Sequence, residues 1–328
     1  MENLLEQARL LPETPGIYVM KDEHENILYI GKAKNLKARV MSYFLNSTPH
    51  SKKISQMLMR VDHFTMVNVA SEFDALLLEC HQIHENRPAY NTLMNHYENY
   101  GYFVWQKNQW RVSADWIDNA LCLGPFYRQE KMKEFLQVAD GLYHLSGPLQ
   151  FVKGIIFPYK PNSTPEEKKA EYKLRQAELQ EVMLGENTKM LARLDNKVSH
   201  LAEIEAFEQA STWWEKRLIV QRFLRRNQQL LAANGDFLFV GQIPEKNGVA
   251  YYLYGKGEIL GKTVYQRTAS PAQALKKLKN QVKTEKWRQL SAKKYLNKSD
   301  ADLFPIFFNY LYRNGSISRF DFNWALDK

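Results

Sequence analysis

The stretch Leu11–Phe44, LPETPGIYVMKDEHENILYIGKAKNLKARVMSYF, decides how the first part of this chain folds. Ile17–Lys21 and Ile27–Gly31 are short β-branched and aromatic runs, and the polar Asp22–Asn26 segment between them is turn-forming. That pattern predicts a hairpin, punctuated by Pro15-Gly16 at its entry and Gly31 at its exit. Leu36, Val40 and Phe44 then recur at helical spacing, which sets Arg39 and Tyr43 one turn apart on an adjacent face. Two tyrosines, Tyr18 and Tyr29, thus meet Lys32 and Arg39 within one supersecondary unit. Phenols and cations so concentrated are polar machinery, not core.

Downstream, His63–Val69 (HFTMVNV) carries apolar residues at both parities and reads as a central strand covered on both faces. Ser71 is a good N-cap with an acid three residues on, so a helix starts there. Phe73, Leu76, Leu77, Cys80 and Ile83 form its apolar stripe, with Glu79 at the margin. A glutamate at such a margin is ordinarily a solvated rim residue. Pro88 ends the helix, and Tyr90-Asn91 follows. His81, His84 and Glu85 hint at zinc, but HxxHE is not the HExxH arrangement, and the pair reads as incidental.

Composition narrows the field. With 328 residues the chain has room for two or three domains. Lys and Arg number 45 against 36 Asp and Glu, a net charge of +9 that suits a polyanionic partner. Aromatic residues make up 13%, enough to stack bases. The two cysteines, Cys80 and Cys122, provide neither a disulfide framework nor a four-cysteine metal site. The first ten residues, MENLLEQARL, lack an apolar core of the signal-peptide kind, and no run of about 18 apolar residues occurs. A cytoplasmic protein with no membrane association is expected.

The rest of the chain divides by composition. The expected organisation is a first domain over 1–100, an aromatic connecting region over 101–160, a helical hairpin over 161–232 and a basic α+β domain over 233–328. A proline-rich run, PYKPNSTP, precedes the hairpin, whose arms are Glu166–Leu184 and Asn187–Arg226 joined across Gly185. Ile204, Phe207, Ala210 and Trp214 give the second arm one apolar face. Phe237–Gln242, Val249–Tyr254 and Thr263–Arg267 predict a three-stranded meander turning at Lys246-Asn247-Gly248 and Gly255-Lys256-Gly257. Ser270-Pro271 then opens a helix. From Lys276 to Lys298 the residues are basic with interspersed aromatics. Lys276, Lys277, Lys279, Lys283 and Trp287 are therefore candidates for nucleic-acid contact, although a charge run is usually only a solvated face.

Gly16-Ile17-Tyr18, Tyr29-Ile30-Gly31, the following GKAKNLKARVMSYF, ALLLE ending at Glu79, and Tyr90-Asn91 together resemble the GIY-YIG nucleases. Within that family they are similar to the excision-repair type found in UvrC and its shorter homologue Cho. Residues 123–145 resemble the stretch after the nuclease domain in UvrC, and 184–217 a worn UVR hairpin, through which UvrC meets UvrB. Residues 236–267 resemble the start of UvrC's C-terminal half. The four cysteines of an iron–sulfur cluster are absent, so no such cluster is expected, and these residues hold no counterpart of the second, RNase H-like nuclease.

The resemblance implies an α+β fold, with a short mixed central sheet flanked by helices in the nuclease domain. It puts a single divalent cation, Mg²⁺ or Mn²⁺, on Glu79, and Mg²⁺ does accept one carboxylate completed by water and phosphate. It makes Tyr29 the base with Tyr18 assisting, Arg39 the phosphate ligand, and Tyr43 and Asn91 supports. Lys32, lying close, and the metal are expected to favour the Tyr29 phenolate. The function implied is a single-strand incision on the 3′ side of a lesion in damaged double-stranded DNA presented by UvrB. Two alternatives belong to other classes: a non-catalytic adaptor binding DNA or UvrB, and a mobile-element GIY-YIG nuclease with its own targeting domain.

Overall fold

In the computed structural model, which describes residues 2–45, 49–145 and 164–322, strand β1 (Gly16–Lys21) lies at the middle of a three-stranded sheet. β2 (Ile27–Ala33) pairs with it on one side and β3 (His63–Asn68) on the other, both antiparallel. The β1–β2 loop is held by the Asp22 carboxylate, which accepts from the backbone N–H groups of His24 and Asn26 and from the Asn26 amide. The apolar alternation of GIYVM is explained by cover on both faces. Tyr18 and Met20 pack with residues of α1 (Glu2–Arg9), α2 (Leu36–Phe44) and α3 (Lys52–Leu58). Ile17 and Val19 pack instead with Ile30 and with Ile83 of α4 (Glu72–Asn86). Each such side chain contributes about 1.5–3 kcal/mol on burial.

Two expectations are corrected here. The central, doubly covered strand is β1; β3 is an edge strand, and Met66 and Val67 on it are exposed. Apolar residues at both parities are necessary for a central strand but do not specify one, because position in the sheet is set by non-local pairing. Among the described residues the pairing of this first sheet is also antiparallel throughout, where a mixed sheet was expected.

The chain divides into two compact units, one formed by Met1–Glu98 with Asp236–Lys328 and the other by Asn99–Gly235. In the second, β4 (Gly101–Gln106), β5 (Gln109–Ser113) and β6 (Leu121–Phe126) form a sheet in the order β5-β4-β6. Four helices accompany it among the described residues: α5 (Gln129–Tyr143), α6 (Pro165–Met183), α7 (Lys189–Glu203) and α8 (Phe207–Asn234). Thr164 opens α6 with a reciprocal capping box to Glu167. The expected second arm, Asn187–Arg226, is two helices. The chain breaks at Ile204–Ala206, where Glu205 takes a left-handed φ of 59°. Its proposed apolar face is also corrected, since Ile204, Phe207 and Trp214 are exposed. The buried side of α8 runs through Val220, Phe223, Leu224 and Leu230. Most of PYKPNSTP lies outside the described residues.

The C-terminal part of the first unit is a sheet of β7 (Phe237–Glu245), β8 (Gly248–Gly255), β9 (Glu258–Tyr265) and β10 (Ser316–Asp321), ordered β10-β7-β8-β9. The meander and its two turns are as expected, except that its third strand is Glu258–Tyr265 where Thr263–Arg267 was expected; the fourth strand is added from some fifty residues downstream. α9 (Pro271–Lys279), α10 (Thr284–Ala292) and α11 (Leu303–Asn314) complete it. α4 packs against this part as well. Phe73 meets Tyr252 edge-on with ring centroids 4.7 Å apart, and the Tyr252 hydroxyl donates to Asp74 Oδ1 at 3.0 Å. Lys262 Nζ bridges Asp74 (2.7 Å) and Glu245 (2.9 Å), and His84 Nε2 lies 3.0 Å from Asp302. Among the described residues no helix is long and apolar enough to cross a membrane.

Candidate active site

β2 is an edge strand, so its outward backbone groups need partners from elsewhere. Sequence-distant residues supply them. The Leu28 carbonyl accepts from Tyr90 N–H at 3.0 Å. Asn91, buried, accepts from Ile30 N–H at 2.9 Å and donates to the Ile30 carbonyl at 2.8 Å, mimicking a paired strand residue. Lys32 N–H donates to Glu79 Oε1 at 2.9 Å. Glu79 and Asn91 therefore dock onto the same strand that carries Tyr29, and this edge brings the two halves of the site together. Replacing Asn91 by leucine removes two hydrogen bonds and strands two backbone groups. Equilibrium urea unfolding should show a loss of about 2–4 kcal/mol; an unchanged midpoint would mean the strand edge is satisfied by other means.

Tyr18 and Gly31 are direct cross-strand partners. A Cβ at Gly31 would lie 2.3 Å from the Tyr18 hydroxyl, so only glycine leaves space for the phenol. The rings of Tyr18, Tyr29 and Tyr43 form a triangle with centroids 5.8–6.4 Å apart. Tyr43 is its hub: its hydroxyl accepts from Arg39 Nη2 at 2.9 Å and shares a 2.9 Å hydrogen bond with the Tyr18 hydroxyl. Asn35 caps α2 by accepting from Ala38 N–H, which fixes Arg39 in the first turn and a half. Tyr18, Tyr29, Lys32, Arg39 and Glu79 line one cleft of about 570 Å³, together with the cap of α2 and Ser42.

Burial dominates the electrostatics. It raises the Glu79 carboxyl above its usual range, against the lowering effects of the Lys32 N–H and of the Lys32 and Arg39 charges. Burial likewise pushes up Tyr29, reinforced by Tyr43 and by the Glu79 charge, with Arg39 acting in the opposite sense. Tyr18 is raised well above the ordinary phenol value for the same first reason. The expectation that Lys32 would favour the Tyr29 phenolate is corrected: its ammonium is paired with Glu72. Glu72 was overlooked in the sequence, where it reads only as a first-turn acid. Ser42 and Lys34, which also line the cleft, were overlooked too.

The donor set fits a divalent cation. Glu79 Oε1 is held by backbone, and among the described residues no hydrogen bond engages Oε2. A half-buried anion so placed, beside an open cleft, is the chemistry of a carboxylate ligand whose remaining ligands are water and phosphate. The histidine hint is corrected. His84 is engaged by Asp302 and His81 is exposed, and among the described residues no group of three metal-ligating side chains forms.

The family model of the UvrC-like GIY-YIG domain matches residues 14–92. Residues 14–92 are a UvrC-like GIY-YIG domain. Among relatives, UvrABC system protein C of Clostridium tetani is 25% identical over 276 residues, covering 78% of this chain and 44% of its own length. That of Caldanaerobacter subterraneus is 46% identical over 100 residues, covering 30% of this chain and 16% of its own. The GIY-YIG N-terminal endonuclease domain of UvrC from Thermotoga maritima, crystallised with its catalytic magnesium, is 34% identical and covers 28% of this chain and 99% of its own, with a TM-score of 0.26. The chain spans less than half the length of the curated relatives that match most of it.

The candidate nucleic-acid residues lie outside that cleft. Lys276 and Lys277 are exposed on α9, Lys279 is half-buried there, and Lys283 is exposed at the cap of α10. The expectation for Trp287 is corrected: its indole is 9% exposed, packs against Phe322 and belongs to the core.

Proposed function

We propose that the GIY-YIG domain hydrolyses a DNA phosphodiester, making a single-strand incision in nucleotide excision repair on the 3′ side of a lesion. The observation that carries this reading is the convergence of Tyr29, Arg39 and Glu79 on one cleft from two arms of the chain, joined by the Asn91 clamp. Glu79 would hold one Mg²⁺ or Mn²⁺, which when bound polarises the scissile phosphate and offsets its charge.

The chain's own residues do the rest. Arg39 presents its guanidinium to the phosphate, oriented by Tyr43, and offsets charge as it develops. Tyr29 acts as the phenolate left once its own proton has passed to solvent, and its phenolic oxygen then accepts the proton of the attacking water. Tyr18, bonded to Tyr43 and fully buried, keeps the tyrosine triangle in register instead of meeting solvent. Asn91 acts through β2 and is a positioning residue. Damaged duplex DNA and UvrB are the proposed partners, since the UvrABC relatives resemble this chain beyond the nuclease domain. The test is nicking of a lesion-bearing duplex with and without UvrA and UvrB, in Mg²⁺ and in EDTA. Metal-dependent nicks on one strand are expected; binding without any nick would favour the adaptor reading.

The lysines of α9 and α10 are proposed to add sequence-independent phosphate contacts. Changing Lys276, Lys277 and Lys283 together to glutamine should flatten the dependence of log K on log salt by about 0.9 for each phosphate released from pairing on duplex DNA. An unaltered slope in fluorescence anisotropy would leave these helices as scaffold.

A further inference from the structure

The unit Asn99–Gly235 holds a second cavity, of about 290 Å³, between the N-terminal part of α5 and the middle of α8. Its inner wall is aromatic. Phe135 and Phe223 stack with centroids 3.8 Å apart, and Phe126 stacks on Phe223 at 5.5 Å. Tyr127 and Ile219, both half-buried, stand among its lining. Arg128, Lys131, Arg222 and Arg226 bring four positive charges to the same lining, against the single acid Glu134, which pairs with Lys131 at 2.6 Å. Three of the four, Arg128, Lys131 and Arg222, are exposed. Arg128 stacks over the Tyr127 ring at 4.8 Å, and Tyr127 in turn meets Tyr100 edge-on.

Phe126, Phe135 and Phe223 are buried and form the core of this unit, so they are the floor of the groove, whereas folding has no need of the exposed arginines and lysine on its rim. A core would place aliphatic or polar neutral residues around an aromatic cluster, whereas clustering arginines raises local repulsion. The combination fits a ligand with a flat apolar face and a chain of negative charge. We infer that this groove takes an unpaired nucleotide of a DNA strand, with the base against the Tyr127–Phe223 wall and flanking phosphates on Arg128 and Arg222. Charge complementarity selects this occupant. A helical protein segment could fill the apolar wall but gives the exposed Arg128 and Arg222 no anion to meet, while a paired duplex has no free base face to offer. The volume, near the low end of small-ligand sites, admits a single base and not a stack. The choice of DNA rests on the proposed nuclease reading; the groove itself does not.

The test uses the full chain in EDTA, so that nicking plays no part. Anisotropy of a labelled oligo(dT) strand, and fluorescence of 2-aminopurine placed in a short unpaired bulge, report binding and stacking. The Arg128→Gln/Arg222→Gln variant should weaken strand binding at least tenfold and reduce its salt slope by about 0.7 for each phosphate no longer neutralised. Tyr127→Ala should relieve the 2-aminopurine quenching and cost about fivefold or more in affinity. Circular dichroism of both variants is expected to match wild type; the unfolding midpoint should hold in the arginine variant, whose altered groups are exposed, while Tyr127→Ala, half-buried against Tyr100, should lower it without unfolding the chain. Equal strand binding by wild type and the double variant, or quenching that survives in Tyr127→Ala, would overturn the assignment. Failure of metal-dependent nicking with these bindings intact would count against the nuclease reading alone.

Discussion

Glu79→Gln should abolish metal-dependent nicking while leaving the fold in place. The amide still accepts the Lys32 N–H, so the contact between α4 and β2 survives. What it loses is the negative charge that a divalent cation requires, and a site with one protein carboxylate has no second to fall back on. The expected loss is about a thousandfold or more in single-turnover nicking. Isothermal titration or Mn²⁺ electron paramagnetic resonance should show no specific cation bound at concentrations that saturate wild type. The Gln variant should also melt no lower than wild type, because burial raises the carboxyl and makes its ionised form costly without metal. A Gln variant that nicks at the wild-type rate would remove Glu79 from the metal site.

Tyr29→Phe should reduce single-turnover nicking by about a hundredfold or more, with DNA binding unchanged, since the phenol acts on the attacking water and not on affinity. The pH profile is the sharper readout. The folded-state value of Tyr29 is raised by burial, by Tyr43 and by Glu79, so the phenol is protonated throughout the neutral range in the chain alone. Deprotonation becomes easier as pH rises, and the wild-type rate should climb across the neutral and mildly alkaline range. The Phe variant should lose that climb. A Phe variant retaining both rate and slope would assign proton removal to another group.

The site was legible in sequence where it is local. GIY and YIG are hairpin partners whose spacing fixes the cross-strand pair Tyr18–Gly31, and helical periodicity places Arg39 beside Tyr43. Glu79 and Asn91 are a different matter: spacing alone leaves one a rim glutamate and the other a loop amide. Only the edge of β2, which they complete, explains why they belong together. The partner of Lys32 was illegible because Glu72 looks like any acid in a first helical turn. Pattern also misread Trp287, because an aromatic between lysines has the same signature whether it faces solvent or core. The break between α7 and α8 rests on one residue in a left-handed conformation, Glu205, whose type carries no preference for it. The fourth C-terminal strand is invisible locally, since β10 is recruited by β7 from far along the chain.

The packing of α4 between two sheets has a consequence for the order in which the molecule assembles. Phe73, Asp74 and His84 lie in the first third of the chain, yet their partners Tyr252, Lys262 and Asp302 lie beyond residue 250. During synthesis the whole of the intervening unit emerges first, so one flank of the helix that carries Glu79 waits uncovered while a complete second unit has time to fold. Long-range closure of this kind is slow, and transiently bare apolar surface favours misassembly. The acids and histidine on that flank keep it wet in the interval, and the same groups later lock it.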